Sequence, residues 1–218
     1  MDGYVEPAYI QGTAQEQVNL SVQSAAYAAS RPDVESVMFS EPYQKRIGLV
    51  AAREFELMEG FTGDVTKSAR QILSSGIAAG QSPTVMARSL KKMFDTTPDE
   101  NGKYHGNMAR ANRIARTEIT YALKTARLDE SLSAETSLGL KTLQMHISAL
   151  VPTTRRTHAA RHGELFTQKE VREFYTVNGN AVNCLCTQAS VVLGEDGKPL
   201  STRSIERAKA QRKQFKGL

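Results

Sequence analysis

Asn107 to Ser131 reads NMARANRIARTEITYALKTARLDES, and the spacing within it decides the fold. Met108, Ala111, Ala115, Ile119, Ala122 and Ala126 recur at three- and four-residue steps, which predicts one face of a long helix. Arg110, Arg113, Arg116, Lys124 and Arg127 fall on the other side. The stretch is therefore an amphipathic helix with small residues inward and a basic face outward. Glu118 breaks the pattern, because it lies within the apolar arc between Ile114 and Ala122. A carboxylate there is costly unless a cation or several N–H groups meet it. One reading is a catalytic acid. The other is a buried ion pair with an arginine, and it is favoured because no second carboxylate accompanies Glu118. Arg155 is the first candidate partner and Arg113 the second. A bidentate arginine–carboxylate clasp would pin the helix to the sheet that follows it.

Upstream, residues 1–12 show no strong period and end in a glycine. Thr13 to Ser30 is polar and Ala-rich, with Val18, Val22, Ala25, Ala26 and Ala29 near helical spacing, and Arg31-Pro32-Asp33 ends it. A second helix is expected over Glu41 to Gly60, with Ile47, Val50, Ala51, Phe55 and Met58 along one side. Asp64 is the expected N-cap of a helix over Val65 to Ser75, and Ser82-Pro83 opens another through Met86, Leu90 and Met93. Asp95 to Gly106 collects Thr, Pro, Asp, Glu, Asn and Gly, the composition of a linker.

Downstream of Gly139 the period falls to two. Leu140 to Ala149 alternates as a strand does, and Phe174 to Val177 and Gln188 to Leu193 are read as two more. Ser201 to Leu218 is a basic helix. The fold class is therefore mainly α with a small C-terminal α+β module built on a short antiparallel sheet. The expected organisation is an N-terminal helical docking region over 1–95 and a linker over 96–106. A core module over 107–200 and a basic tail over 201–218 complete it.

The 218 residues are 40% hydrophobic but only 6% aromatic, with no Trp. No run approaches the roughly 18 apolar residues of a membrane span, and the first residues lack the basic and apolar blocks of a signal peptide. A cytoplasmic site of synthesis is expected. Charge divides unevenly, at −4 over residues 1–100 and +9 over residues 101–218. The basic half suits nucleic acid, an acidic protein surface, or simple solvation.

His158 and His162 are four apart and would share a helical face, and Cys184 and Cys186 offer two thiolates. The four can be read as a closed structural zinc site or as a cluster without metal, and their spacing is not that of a standard finger. No cofactor beyond that zinc is expected. No Gly-rich phosphate loop and no nucleophile elbow is present. In the tail, Arg203, Arg207, Lys209, Arg212, Lys213 and Lys216 can contact DNA phosphates in a salt-sensitive way, or form a solvated helix face.

Arg113-Ile114-Ala115-Arg116-Thr117-Glu118 resembles the hallmark hexapeptide of the phage Mu F-like head morphogenesis family. That family continues with a strand, an Arg, a His three residues later and a Gly five after the His, and this chain has Arg155, His158 and Gly163. It closes on Asn-Cys-Arg-Cys, where this chain has Asn183-Cys184-Leu185-Cys186. The resemblance extends upstream through Ala8-Tyr9-Ile10-Gln11-Gly12 and is strongest over residues 108–190. The chain departs from the pattern at His146, where a Trp is common, at Val151, where an Asp is, and at Leu185. What the resemblance implies is a minor head protein of a tailed bacteriophage, carried in the virion near the portal and without catalytic activity. Its expected partners are the portal, other head proteins and packaged double-stranded DNA. The N-terminal helices would dock through faces that include Phe55, Leu57 and Met58. The alternatives are a metal-dependent nuclease or transferase using Glu118 and the His/Cys cluster, and a general DNA-binding protein.

Overall fold

The computed structural model describes residues 5–30, 33, 63–79, 81–96, 101–102 and 107–215. The expected helix over Glu41 to Gly60, its Phe55, Leu57 and Met58, and most of the expected linker lie outside the described residues.

In chain order the elements are helices α1 (Val5–Gln23), α2 (Ala25–Ser30), α3 (Gly63–Ala78), α4 (Pro83–Thr96) and α5 (Met108–Leu138), then strand β1 (Lys141–Ile147). Helix α6 (Arg156–Ala160), strand β2 (Leu165–Phe166), helix α7 (Gln168–Thr176), strand β3 (Thr187–Leu193) and helix α8 (Arg203–Gln214) follow. The fold is mainly α with a three-stranded antiparallel sheet in the C-terminal part, as the residue pattern predicts.

Three local readings are corrected. The first helix starts at Val5, not Thr13, and runs through Gly12 to Gln23. Phe174 to Val177 is not a strand: Phe174 and Tyr175 belong to α7. The Thr167 hydroxyl accepts from the Glu170 N–H while the Glu170 carboxylate accepts from the Thr167 N–H, a capping box that starts a helix at Gln168. Strand β2, only two residues long, pairs with β1 as an edge of the sheet instead.

The described residues fall into two compact units. The first takes those within 1–11, 34–123 and 181–184; the second takes those within 12–33, 124–180 and 185–218. Helices α1 and α5 contribute residues to both.

In the first unit, α3 and α4 form a hairpin. Val65, Ala69 and Leu73 are buried on one helix and Met86, Ala87, Leu90 and Phe94 on the other. Gly76 makes room: a Cβ there would lie 2.3 Å from Met86 Cγ. Ala111, Ile114, Ala115 and Ile119 of α5 are buried, as the opening stretch predicts.

In the second unit the sheet order is β2-β1-β3, with Lys141 opposite Leu193 and Ile147 opposite Thr187. One face packs Met145 and Val191 against Ile205 and Ala208 of α8, with Ile147 and Leu165 at the margin. Leu20, Tyr27, Ala134 and Val192 form a separate apolar cluster, joined by Leu140. Tyr27 also donates from its hydroxyl to Glu130 at 2.5 Å, so a buried carboxylate on α5 is matched by a buried phenol.

Strand β3 is an outer strand, and its free edge is covered by side chains instead of another strand. Asn19 and Gln23 of α1 donate to the Ser190 carbonyl at 2.9 and 2.8 Å. Glu16 accepts from the Ser190 N–H and Gln23 from the Val192 N–H. Arg127 of α5 donates to the Gln188 carbonyl at 2.7 Å, and the Leu200 N–H closes on the Val192 carbonyl. Unpaired edge groups template association with other chains, and this polar helix face occupies them. It also explains why α1 has so little apolar periodicity: Glu16, Asn19 and Gln23 face a strand edge, and their task is hydrogen bonding.

Candidate functional site

The motif residues are engaged with backbone. Thr117, buried on α5, accepts from the Asn183 N–H at 2.8 Å, which joins the hexapeptide to Asn183 within the first unit. Asn183 has a positive φ of 53°, a conformation Asn tolerates better than most residues. Glu118 is also buried. Arg113, by contrast, is exposed. Glu118 belongs to the first unit and Arg155 to the second.

In the second unit Arg155 immediately precedes α6 and reaches the loop after α7. Its Nη1 donates to the Gly179 carbonyl at 3.2 Å and the Asn180 carbonyl at 3.1 Å. Asn180 is buried, and its amide nitrogen donates to the Phe174 carbonyl at 2.9 Å. Arg155 therefore holds the loop by its backbone.

Gly163 has a structural reason as well. Its φ is +79°, and a Cβ there would meet the Lys209 nitrogen at 2.9 Å and Ala208 Cβ at 3.0 Å. Only glycine combines this backbone with so close an approach of α8. The same turn is tied to β1, since the Gly163 N–H donates to the His146 carbonyl and the His146 N–H to the Glu164 carbonyl.

Of the four residues read as possible zinc ligands, the structure brings His158 and Cys186 together, with 3.5 Å between His158 Nδ1 and Cys186 Sγ. His146 joins them. Among the described residues these three form the group able to hold an ion, with ligand atoms all within 4.8 Å of one another and all three side chains buried. His162 lies elsewhere: its Nδ1 accepts from the Ser148 N–H at 2.9 Å and its Nε2 faces Gln211. Cys184 is buried in the first unit. Linear spacing does not mark His146, because a strand residue's position says nothing of its distant neighbours. Its departure from the Trp common in the family was the available signal.

Aromatic rings wall the cluster. Phe174 stands edge-on to His158 at 4.9 Å and to His146 at 5.8 Å, and Tyr175 stacks beside His146 at 6.4 Å. Lys124 lies over the Tyr175 ring at 3.9 Å, and the Arg161 guanidinium over Phe166 and Phe174 at 3.5 and 4.1 Å. Burial lowers the Arg161 pKa from its usual value.

On α8, Arg203, Arg207 and Lys213 are exposed. Lys209 and Arg212 instead pair with Glu164 at 3.5 and 2.8 Å, and Arg212 also donates to the Ala160 carbonyl. Burial raises the Glu164 pKa, but the Arg212 hydrogen bond and the charges of Lys209 and Arg212 outweigh it and hold the pKa low. Lys216 lies outside the described residues. A groove of about 760 Å³ runs beside α8, lined by Val22, Met145, Ile147, Leu200, Arg203 and Arg207 among others.

Fold and motif contacts together define a mainly helical protein whose α+β module is stapled by polar motif side chains. The chain belongs to the phage Mu protein F like family, whose model matches residues 67–189. That span contains the Arg113–Glu118 hexapeptide, Arg155, His158, Gly163 and the Asn183–Cys186 segment. No curated protein and no solved structure matches the chain. Among the described residues, no helix is long and apolar enough to cross a membrane.

Proposed function

We propose that this chain is a minor head protein of a tailed bacteriophage, acting with the portal in head morphogenesis and in DNA packaging or ejection, without catalysis. The observation that carries the reading is the family match over residues 67–189. The motif contacts support it: Thr117, Arg155, Asn183 and Gly163 are occupied in holding backbone, which is the work of a scaffold.

In this reading the region 1–95 docks to the portal or to other head proteins, except the part of α1 and α2 within 12–30 that packs on the sheet, and the module over 107–200 is the fixed body. Arg203, Arg207 and Lys213 on α8 offer phosphate contacts to packaged DNA without reading sequence. The protein assembles in the host cytoplasm and remains in the virion near the portal.

The test is particle composition. Quantitative mass spectrometry of purified procapsids and filled particles is expected to find the chain in both, at far fewer copies than the major capsid protein. Its absence from both would overturn the proposal. A nuclease assay with added divalent metals separates the enzymatic alternative, which requires turnover that Glu118→Gln abolishes.

A further inference from the structure

We propose that His146, His158 and Cys186 bind one zinc ion inside the C-terminal module, at a site with three protein ligands. This is independent of the head-protein reading, since it rests only on the geometry of the second unit.

The ligands come from three segments: His146 from β1, His158 from α6 and Cys186 from the stretch just before β3. They are 1%, 2% and 4% exposed, so nothing but a small ion can reach all three. In a tetrahedral site with ordinary zinc–nitrogen and zinc–sulfur bonds, a nitrogen and a sulfur ligand lie about 3.6 Å apart. His158 Nδ1 and Cys186 Sγ are 3.5 Å apart. One edge of the tetrahedron is thus already formed, and His146 has to draw in from within 4.8 Å.

The protonation pattern is also right. The Asn180 amide is oriented by its nitrogen, which donates to the Phe174 carbonyl, so its oxygen is the atom 3.2 Å from His158 Nε2. An amide oxygen only accepts, so Nε2 carries the hydrogen and Nδ1 is left with a lone pair. Arg155 Nη1 is also 3.2 Å from Nε2, but its two hydrogens have acceptors in the Gly179 and Asn180 carbonyls. The lone pair on Nδ1 points toward the cysteine sulfur, where an ion would sit. A histidine that donates its far N–H to a carbonyl oxygen is the usual arrangement around a bound metal. The Ser148 hydroxyl, 3.6 Å from Sγ and buried, gives the sulfur a hydrogen-bonding neighbour.

Two imidazoles and one thiolate select a borderline-soft transition ion over magnesium or calcium. Binding releases the Cys186 thiol proton to solvent, and the fourth position remains for a water molecule. The ion would tie β1, α6 and the approach to β3 together, as a cross-link in a module with few apolar core residues.

The experiment is a titration of the metal-free full-length protein with Co2+ and then Zn2+. The expected result is one equivalent of cobalt, tetrahedral d–d bands, and a sulfur-to-cobalt charge-transfer band with the intensity of a single thiolate, all displaced by zinc. Cys186→Ser abolishes the charge-transfer band, and His146→Phe weakens binding at least roughly 100-fold, no less than loss of an outer-shell partner does. Cys184→Ser and His162→Asn leave stoichiometry and spectrum unchanged. Zinc at a thousandfold its Kd raises the unfolding midpoint by about 10 °C. The proposal is overturned by the absence of a charge-transfer band, by intensity for two thiolates, or by a band that needs Cys184. The thiolate count is read on the unmodified chain, so it decides the matter even where Cys186→Ser does not fold.

Discussion

Replacing Gly163 by alanine tests the packing of the C-terminal helix. The backbone at this position has a φ of +79°, and the new Cβ would sit 2.9 Å from the Lys209 nitrogen and 3.0 Å from Ala208 Cβ. The left-handed conformation costs a non-glycine residue about 1 to 2 kcal/mol. Forcing α8 away from the turn adds about 1 to 3 kcal/mol, the usual range for overpacking. The obstacle is backbone, so it cannot rotate aside. Together these give a loss of about 2 to 5 kcal/mol, a fall in the unfolding midpoint of about 4 to 20 °C for a chain of this size. Gly139 is the control: its φ is +66°, but nothing lies within 4 Å of an added Cβ. Gly139→Ala should therefore show the backbone cost alone, about 1 to 2 kcal/mol. Urea denaturation of both variants, followed by circular dichroism, measures the difference. Equal losses at the two positions would refute the claim that Gly163 is required by the approach of α8.

Other perturbations test the remaining contacts. Thr117→Val keeps the shape of the side chain but leaves the Asn183 N–H without its acceptor, and should cost about 1 to 3 kcal/mol in the same denaturation assay. Gln23→Leu removes one of the two donors to the Ser190 carbonyl and the acceptor of the Val192 N–H, and should both destabilise the protein and raise the weight-average mass in sedimentation as the β3 edge is partly exposed. Burial raises the Glu16 pKa above its usual value despite hydrogen bonds from Ser190 and Asn19 and the charge of Arg127. A carboxyl with a raised folded-state pKa adds stability that is full below the unfolded pKa and is lost as pH rises through the folded one. Glu16→Gln should therefore gain on the parent protein as pH rises from about 4 to about 8, measured by thermal unfolding across that range. A gap that narrows with rising pH would contradict this.

The parts of the fold that announce themselves locally were legible in the sequence. Helix α5 follows from the three- and four-residue steps of its alanines, and β1 and β3 follow from alternation. The end of helix α7 reads as a strand because Phe174 and Tyr175 favour strands as residue types, although the Thr167 and Glu170 spacing marks a helix start. The two-residue β2 is too short to leave a period. Helix α1 has a blurred start in the sequence and a polar pattern because Glu16, Asn19 and Gln23 serve a strand edge some 170 positions away. The candidate site divided in the same way. His158 and Cys186 stood out as residue types, but His146 reaches them only through the pairing of β1 and the packing of α7. Nothing in linear spacing carries that information.

The proposed role in the phage head is tested most directly by co-sedimenting the purified full-length chain with assembled portal rings at low and at high salt. A specific head protein docked through apolar faces remains with the rings at both salts. Failure to sediment with the rings, accompanied by DNA binding that fades as salt rises, would contradict the account and leave a general phosphate-binding protein in its place.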